Sequence, residues 1–472
     1  METLLYAQLA DHLISHIKDG AYQVGDKLPS VRSLAKKQQV SIATVNSAYA
    51  ILEEQGWAEA RPKSGYFVRR TQALGFKPPS VSRVQAKPRA VTNTDMALQV
   101  QREASADWIT NFSCAIPDLS MSIVSAIQKT YTRLTRGGIS MEAGYDATEG
   151  LFELRQQVAR RAIDAGIHIS PDAVLTTLGA QNAIALALRA VTDPGDIIAV
   201  ESPCYFGLLQ MIESFGLKAI EIPADPQTGM SVEALKLALR QWPIKTVLCV
   251  SSFSNPLGAT ISAENKKSIV ELLEHYDISL IEDDIYGELQ FEGHRPRAFK
   301  AFDPDGRVLW CSSISKTMNP QLRVGWIAPG KYYDAVLQQK YTQYLAGPAV
   351  PQAVTAEVMS KGLYDRHLRQ ARENYQRRCR QLSFFAEKYF PEETLATSPK
   401  GGLVTWFEMP AHVNATELYH QCRDLKIRIA PGELFSTSGL YRNHFRLTFA
   451  SEWVAEREYG LKVIGDRLKG MV

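Results

Sequence analysis

"SISKTMNPQLRVGW", residues 313–326, sets a single lysine, Lys316, in a run of Ser and Thr, with Arg323 seven residues on. Between 308 and 322 the only other ionisable group is Cys311. A lysine on a solvated face ordinarily has charges near it, so this isolation marks a candidate desolvated amine, whose proton is more easily lost. A plain surface-loop lysine remains the other reading of this stretch taken alone.

Working outward, VLWCS (308–312) just before it is a short apolar run of strand type, and it has counterparts in IIAV (197–200), TVLCV (246–250) and ISLIE (278–282). Separated by helical stretches, these runs predict buried parallel strands of an α/β body that begins near Trp108. Polar residues sit at each strand end: Glu201-Ser202, Ser251-Ser252, Asp283-Asp284 and Ser313. Ligands of open α/β sheets lie outside the carboxyl ends of the strands, so these residues are expected to converge on one crevice.

The crevice has further candidates. Gly179, Ala180 and Gln181 precede the Ala/Leu-rich run AIALALRAV, and a glycine turn entering a helix offers free N–H groups to a phosphate. Asp283 closes a buried strand, where a carboxylate is costly unless a cation or several donors meet it, and Tyr286 follows three residues on. Asn255 in SNPLG offers a side-chain amide, and Tyr205 in ESPCY a flat ring that could stack on a planar cofactor. Each also has a structural reading: a capped helix, an Asp capping the next helix, ordinary loop chemistry.

The N-terminal part is of another kind. Leu5, Leu9, Leu13 and Ile17 recur at four-residue spacing, the stripe of an amphipathic helix over 4–18 that ends near Asp19-Gly20. Pro29-Ser30 reads as the start of a second helix running to about Gln38, and Ser41 as the cap of a third, with Val45, Ala48, Tyr49 and Leu52 as its apolar face. WAEARPKSGYFVRR then reads as a hairpin with a basic tip. Together these describe a winged helix-turn-helix. From Ser30 to Arg70 seven Lys or Arg face three Glu, so the piece is locally basic and suited to DNA phosphates, with the third helix reading bases. Residues 71–107 carry prolines, scattered basics and no sustained period, the composition of a flexible linker.

The whole-chain figures bound these readings. At 472 residues the chain suits roughly two to four domains, and 45% hydrophobic with 22% charged residues is ordinary soluble composition. A net charge of only +3 supplies no global field, so nucleic-acid binding must come from a local patch. The six cysteines form no C-x-x-C pair, which leaves no zinc or redox motif and predicts no metal site. METLLYAQLADHL carries Glu2 and Asp11 where a signal peptide needs positive charge, and even AIALALRAV is broken by Arg189, so a cytoplasmic protein without a membrane span is expected.

LPSVRSLAKKQQVSIATVNSAYAILEEQGWAEARPKSGYFV is similar nearly end to end to the DNA-binding head of GntR-type regulators. The resemblance implies that Arg32, Ser41, Thr44, Lys63 and Gly65 sit against double-stranded operator DNA. Family members often carry arginine at the positions held here by Ile42 and Asn46, a departure that bears on base readout.

The body, with GYDATEGLFELR (144–155) near its start and FRLTFA (445–450) near its end, resembles fold type I pyridoxal-phosphate enzymes of the aminotransferase class. That resemblance implies a large α/β domain, about 145–345, and a smaller C-terminal α+β domain from about 350–472 plus 108–140. It implies Lys316 as the amine that binds the pyridoxal 5′-phosphate aldehyde, Ser313 and Arg323 on the phosphate, and Asp283 on the ring nitrogen. Arg446 matches the arginine that grips a substrate α-carboxylate, and Tyr145 a tyrosine that reaches the neighbouring subunit's phosphate in a homodimer. Head (1–70), linker (71–107) and body (108–472) together resemble the MocR subgroup of regulators. The expectation is a regulator whose body senses an amino acid or amine effector through the covalent linkage at Lys316, with a working aminotransferase carrying a DNA-binding head as the alternative.

Overall fold

The computed structural model describes residues 5–18, 21–22, 26–54, 56–61, 64–68, 76–81, 84, 86–91, 108–118, 123–136 and 145–472. The chain divides into two compact units, Met1–Phe76 with Arg380–Lys388, and Lys77–Cys379 with Tyr389–Val472.

The first unit contains helices α1 (Leu5–Lys18), α2 (Val31–Gln38) and α3 (Ile42–Glu54), then strands β1 (Ala58–Arg61) and β2 (Gly65–Val68). Ser30 Oγ accepts from Ser33 N at 3.2 Å and Ser41 Oγ from Thr44 N at 3.0 Å, so both expected caps are formed. Val45, Ala48, Tyr49 and Leu52 are wholly buried with Leu9, Leu13 and Ile17, and each large apolar side chain so buried contributes roughly 1.5–3 kcal/mol. Leu5 departs from the expected stripe. It is 58% exposed, and Ala10 and Ile14 are buried, because the helix period of 3.6 carries a strict four-residue row off the buried face. β1 and β2 pair antiparallel, with Ala58 opposite Val68, and Lys27 adds a bridge to Phe67. Asp19-Gly20, Pro62, Lys63, Arg69 and Arg70 lie outside the described residues.

The second unit is built on an eight-stranded sheet. After β3 (Thr110–Asn111), its strands are β4 (Leu175–Thr177), β5 (Ile197–Ser202), β6 (Lys218–Asp225), β7 (Gly229–Met230), β8 (Ile244–Val250), β9 (Ser279–Asp283), β10 (Val308–Ser313) and β11 (Gly325–Ala328). Their order is β4-β11-β10-β9-β8-β5-β6-β7. The four runs expected as parallel strands, β5, β8, β9 and β10, lie side by side and parallel. β11 runs antiparallel between β10 and β4. Val247, Leu280, Ile220 and Ile269 sit in a fully buried cluster, the two-sided burial expected of a sheet covered by helices.

A smaller antiparallel sheet follows, made of β12 (Leu395–Ala396), β13 (Val404–Glu408), β15 (Ala430–Pro431) and β16 (His444–Thr448) in the order β12-β13-β16-β15. Beside it β14 (Ile427–Arg428) pairs parallel with β3, which ties the segment 108–118 to this smaller lobe.

Part of the expected flexible linker is fixed to the body. Trp242 Nε1 donates to Ala86 O at 3.0 Å, Arg89 bridges Ala219, Ser80 Oγ donates to Glu408 Oε1 at 2.8 Å, and Ala396 N donates to Lys77 O at 3.1 Å. Composition suggested a free chain here, but backbone groups bonded to sheet edges and side chains need no periodic sequence of their own.

Candidate functional site

β10 delivers Ser313 and, beyond it, the turn that carries Lys316. The turn closes on itself, with Ser315 N donating to Ser313 Oγ at 3.2 Å and Met318 N to Ile314 O at 2.8 Å. It is braced from behind, since His367 Nε2 lies 2.9 Å from Thr317 O and Tyr364 Oη lies 2.6 Å from Thr317 Oγ1. Tyr364 also donates to Glu288 Oε2 at 2.6 Å. Burial pushes Glu288 up, but Arg161 and Arg295 outweigh it and hold the carboxyl below its usual range. Lys316 is thereby presented on a fixed backbone.

A cavity of about 300 Å³ opens over this turn. Lys316, Ser313, Asp283, Tyr286, Asn255, Tyr205, Arg323, Arg446, Ala180 and Gln181 all line it. Residues spread from 180 to 446 thus meet at the strand ends, as the crevice rule requires. Gly179 caps the helix Ala180–Val191, α4, with φ +102°, and a Cβ there would sit 2.7 Å from Arg323 Nη2. Only glycine fits this close approach. Arg323, itself left-handed at φ +51°, donates from Nη2 to Leu178 O. Gly207 also lines the cavity, and a Cβ there would come 2.6 Å from the Tyr205 ring.

Not every strand-end polar residue joins. Ser202 Oγ donates to Glu221 at 2.7 Å, Ser252 Oγ accepts from Lys266 at 3.3 Å, and Asp284 Oδ2 accepts from Arg295 at 2.6 Å and Trp310 Nε1 at 2.9 Å. Neighbours along an extended chain face opposite ways, so Asp283 lines the cavity and Asp284 anchors the structure behind it. Tyr145 does not line the cavity and is 86% exposed.

The electrostatics are those of a desolvated site. Burial, helped by the Arg446 charge, pulls the Lys316 amine down to about 8, and its Nζ donates to Ala115 O at 2.7 Å. Burial, with Asp284 adding to it, pushes Asp283 up to about 7, and Asp283 Oδ1 is buried without a hydrogen-bond partner. Burial lowers Arg446, which donates from Nη1 to Asn255 Oδ1 at 3.1 Å and from Nη2 to Ser113 O, while its Nε has no partner. Burial raises Tyr205 and Tyr286. Sequence reasoning missed the segment 113–115, a strap whose carbonyls take two of the site's three cationic side chains, Lys316 and Arg446.

In the first unit, the outward side of α3 presents Ile42, Ala43, Asn46, Ser47 and Ala50 and no cation. Arg32, Lys36 and Lys37 on α2 are exposed, as are Ser41 and Gly65, whereas Thr44 is half-buried with its hydroxyl 2.8 Å from that of Ser41. Lys63 lies outside the described residues.

A mixed sheet with a strand reversed between β10 and β4, a lysine on the turn after β10 and an aspartate at the neighbouring strand end define a fold type I aminotransferase body, here carried with a winged helix-turn-helix. Residues 117–464 match the aminotransferase class I and II family and residues 5–68 the gntR family of bacterial regulatory proteins. The chain is 41% identical to the HTH-type transcriptional regulator YjiR of Escherichia coli, over 98% of each chain. It therefore belongs to the MocR subgroup of GntR-type regulators. Among solved structures it is similar to the multiple substrate aminotransferase of Thermococcus profundus (27% identity, TM-score 0.73, 79% of this chain and 94% of that one). It is likewise similar to the kynurenine aminotransferase of Pyrococcus horikoshii, solved with PMP (27% identity, TM-score 0.72, 81% and 95%). The class I and II family is pyridoxal-phosphate-dependent. Among the described residues no helix is long and apolar enough to cross a membrane, and no group of His, Cys, Asp or Glu could hold a metal ion.

Proposed function

We propose that the protein is a DNA-binding transcriptional regulator that holds pyridoxal 5′-phosphate on Lys316 and takes an amino acid or related amine there as its effector. The observation that carries this reading is one cavity gathering Lys316, Asp283, Asn255, Tyr286, Tyr205, Ser313, Arg323 and Arg446, in a chain that also carries a winged helix-turn-helix. The residues fit the cofactor: a buried carboxyl oxygen without a partner, Asp283 Oδ1, suits a protonated ring nitrogen, and the Gly179 turn leaves room beside Arg323 for a phosphate.

In this reading Ser313, Arg323 and the first amides of α4 hold the phosphate, Tyr205 covers the ring, and Asn255 with Tyr286 holds its hydroxyl. When bound, the cofactor supplies an aldehyde that captures primary amines and a ring that draws electrons from what it captures. Lys316, its amine held near 8 by burial, is largely neutral at mildly alkaline pH and so available as a nucleophile. Arg446 grips the effector's carboxylate. To do so it must exchange its bond to Ser113 O, and that strap continues in sequence into the 71–107 segment leading to the head. The effector acts only to the extent that it binds one arrangement of the strap better than the other. Tyr145, exposed on its own chain, is assigned to the neighbouring subunit's phosphate in a homodimer.

The protein supplied with pyridoxal 5′-phosphate should be yellow, and borohydride should fix the cofactor to the Lys316 peptide. A panel of amino acids should then shift the absorption band and change affinity for DNA from upstream of its own gene, read by fluorescence anisotropy. A preparation that stays colourless in excess cofactor refutes the reading. So does a panel in which no compound moves either signal. Sustained turnover with a keto acid, without any change in DNA affinity, would favour the aminotransferase instead.

A further inference from the structure

Two arginines of the body are buried beside consecutive residues of the same strap, and among the described residues neither has a carboxylate partner. Arg446 donates to Ser113 O and Asn255, and its Nε has no partner. Arg428 is 0% exposed, and both its Nε and its Nη2 are without partners. Its contacts are the Cys114 sulfur, 3.8 Å from Nη1, and the Trp108 ring, 5.5 Å away. Elsewhere in the same unit the buried Arg295 and Arg378 are neutralised by Asp284 and Asp118, each at 2.6 Å. Arg457 donates to Thr448 O and lies over Phe112, neither of which lines the cavity. Cys114 does line it. A guanidinium taken out of water and left without an anion is among the costliest arrangements in a protein interior, so one that lies against the wall of a ligand cavity calls for an anion from the ligand.

We infer that Arg428 is a second anion-recognising residue of the effector site, and that the effector is an α-amino acid bearing a second carboxylate. The inference rests on the effector reading proposed above and narrows it. Arg446 takes the α-carboxylate and Arg428 the distal one, reached on the Cys114 side of the cavity. The two guanidiniums meet the strap at adjacent residues, Arg446 at the Ser113 carbonyl and Arg428 at the Cys114 sulfur, so the two anion seats are neighbours. On the smaller lobe Ala430 pairs with Arg446, and Arg428 lies two residues before it, so both charges come from one small region of fold.

The test is an absorption titration of the cofactor-loaded full-length protein with L-glutamate and L-2-aminoadipate against L-glutamine and L-norleucine. The acids should reach half-saturation at concentrations about tenfold or more below the neutral compounds, the value of a charge-assisted contact. In Arg428→Met the ratio should collapse to near one, and in Arg428→Lys it should be partly kept. Equal responses to acids and neutral analogues in the unsubstituted protein would overturn the inference, and this comparison stands even if Arg428→Met fails to fold. A preference that survives Arg428→Met would overturn it too. Protein that yellows and answers neutral amino acids alone sinks only this inference, whereas protein that never yellows sinks the reading beneath it as well.

Discussion

The cavity around Lys316 and the outward side of α3 are the surfaces proposed for the effector and for DNA readout, and they are made of opposite materials. The cavity holds buried, charge-bearing side chains with unsatisfied atoms, Asp283 Oδ1 and Arg446 Nε among them. The helix shows Ile42, Ala43, Asn46, Ser47 and Ala50. Away from water a single charge dominates its surroundings, so a small-molecule site can concentrate recognition in a few groups. On DNA, affinity is spread over many screened phosphate contacts, so a reading helix can carry small neutral side chains where cations such as the exposed Arg32, Lys36 and Lys37 of α2 are free to serve the backbone. Substitutions should therefore act by large steps in the cavity and by modest steps on the head.

The largest effect is expected at Lys316. Lys316→Ala should abolish the borohydride-sensitive absorption completely, as read by spectrum and peptide mass, because no other lysine among the described residues lines the cavity. Retention of a covalent cofactor in that variant would break the contrast at its root. Next comes Arg446→Gln, which keeps a donor but removes the charge. Amino acid titrations of the loaded protein should show half-saturation on the order of 100-fold higher, with colour retained.

Acidity supplies a third measurement. Burial brings the Lys316 amine to about 8 from an ordinary 10.5, so half of it is neutral and nucleophilic at that pH, nearly all of it well above, and a falling fraction below. The rate at which apoprotein turns yellow should drop about tenfold per pH unit below that point and level off above it. A profile still rising toward 10 would mean that the amine is solvated and the cavity less closed than its geometry implies.

Much of this division was readable from residue order. The four parallel strands announced themselves as short apolar runs, and the site residues stood at their ends because strand ends are where polar groups can leave a buried sheet. What could not be read were contacts that join distant positions without any local signal. The reversed strand Gly325–Ala328 is a four-residue piece indistinguishable by pattern from its parallel neighbours, and only pairing with both β10 and β4 sets its direction. Asp283 and Asp284 look equivalent in sequence, yet Arg295 and Trp310 claim the second. The strap at 113–115 has an unremarkable composition and earns its place only through Lys316 and Arg446, some 200 and 330 positions on. The segment around Ala86 and Arg89 has the makeup of a free linker and is bonded to the body all the same.

On the head, a gain of function sharpens the contrast. Ile42→Arg puts a cation on a residue that is 52% exposed at the start of the reading helix. If the bare surface limits phosphate contact, DNA affinity should rise several-fold at low salt, and the slope of log affinity against log salt should steepen by about one. An unchanged slope would place residue 42 away from the phosphates.

The smallest effect is expected at Ser41, where two roles must be separated. Its hydroxyl accepts from Thr44 N at 3.0 Å and lies 2.8 Å from the Thr44 hydroxyl, so the side chain assigned to DNA is already closing the first turn of α3. Ser41→Ala removes the cap and should cost the head about 1 kcal/mol in denaturant unfolding. Ser41→Asp restores the cap, and its carboxylate faces the positive end of the helix, so stability should return to near that of serine. The same carboxylate would repel a phosphate. If Ser41 touches DNA, the aspartate variant should therefore be stable and bind DNA less well than the alanine variant. If both variants bind DNA in proportion to their stability alone, Ser41 is a capping residue only, and readout belongs to the rest of α3 and the wing.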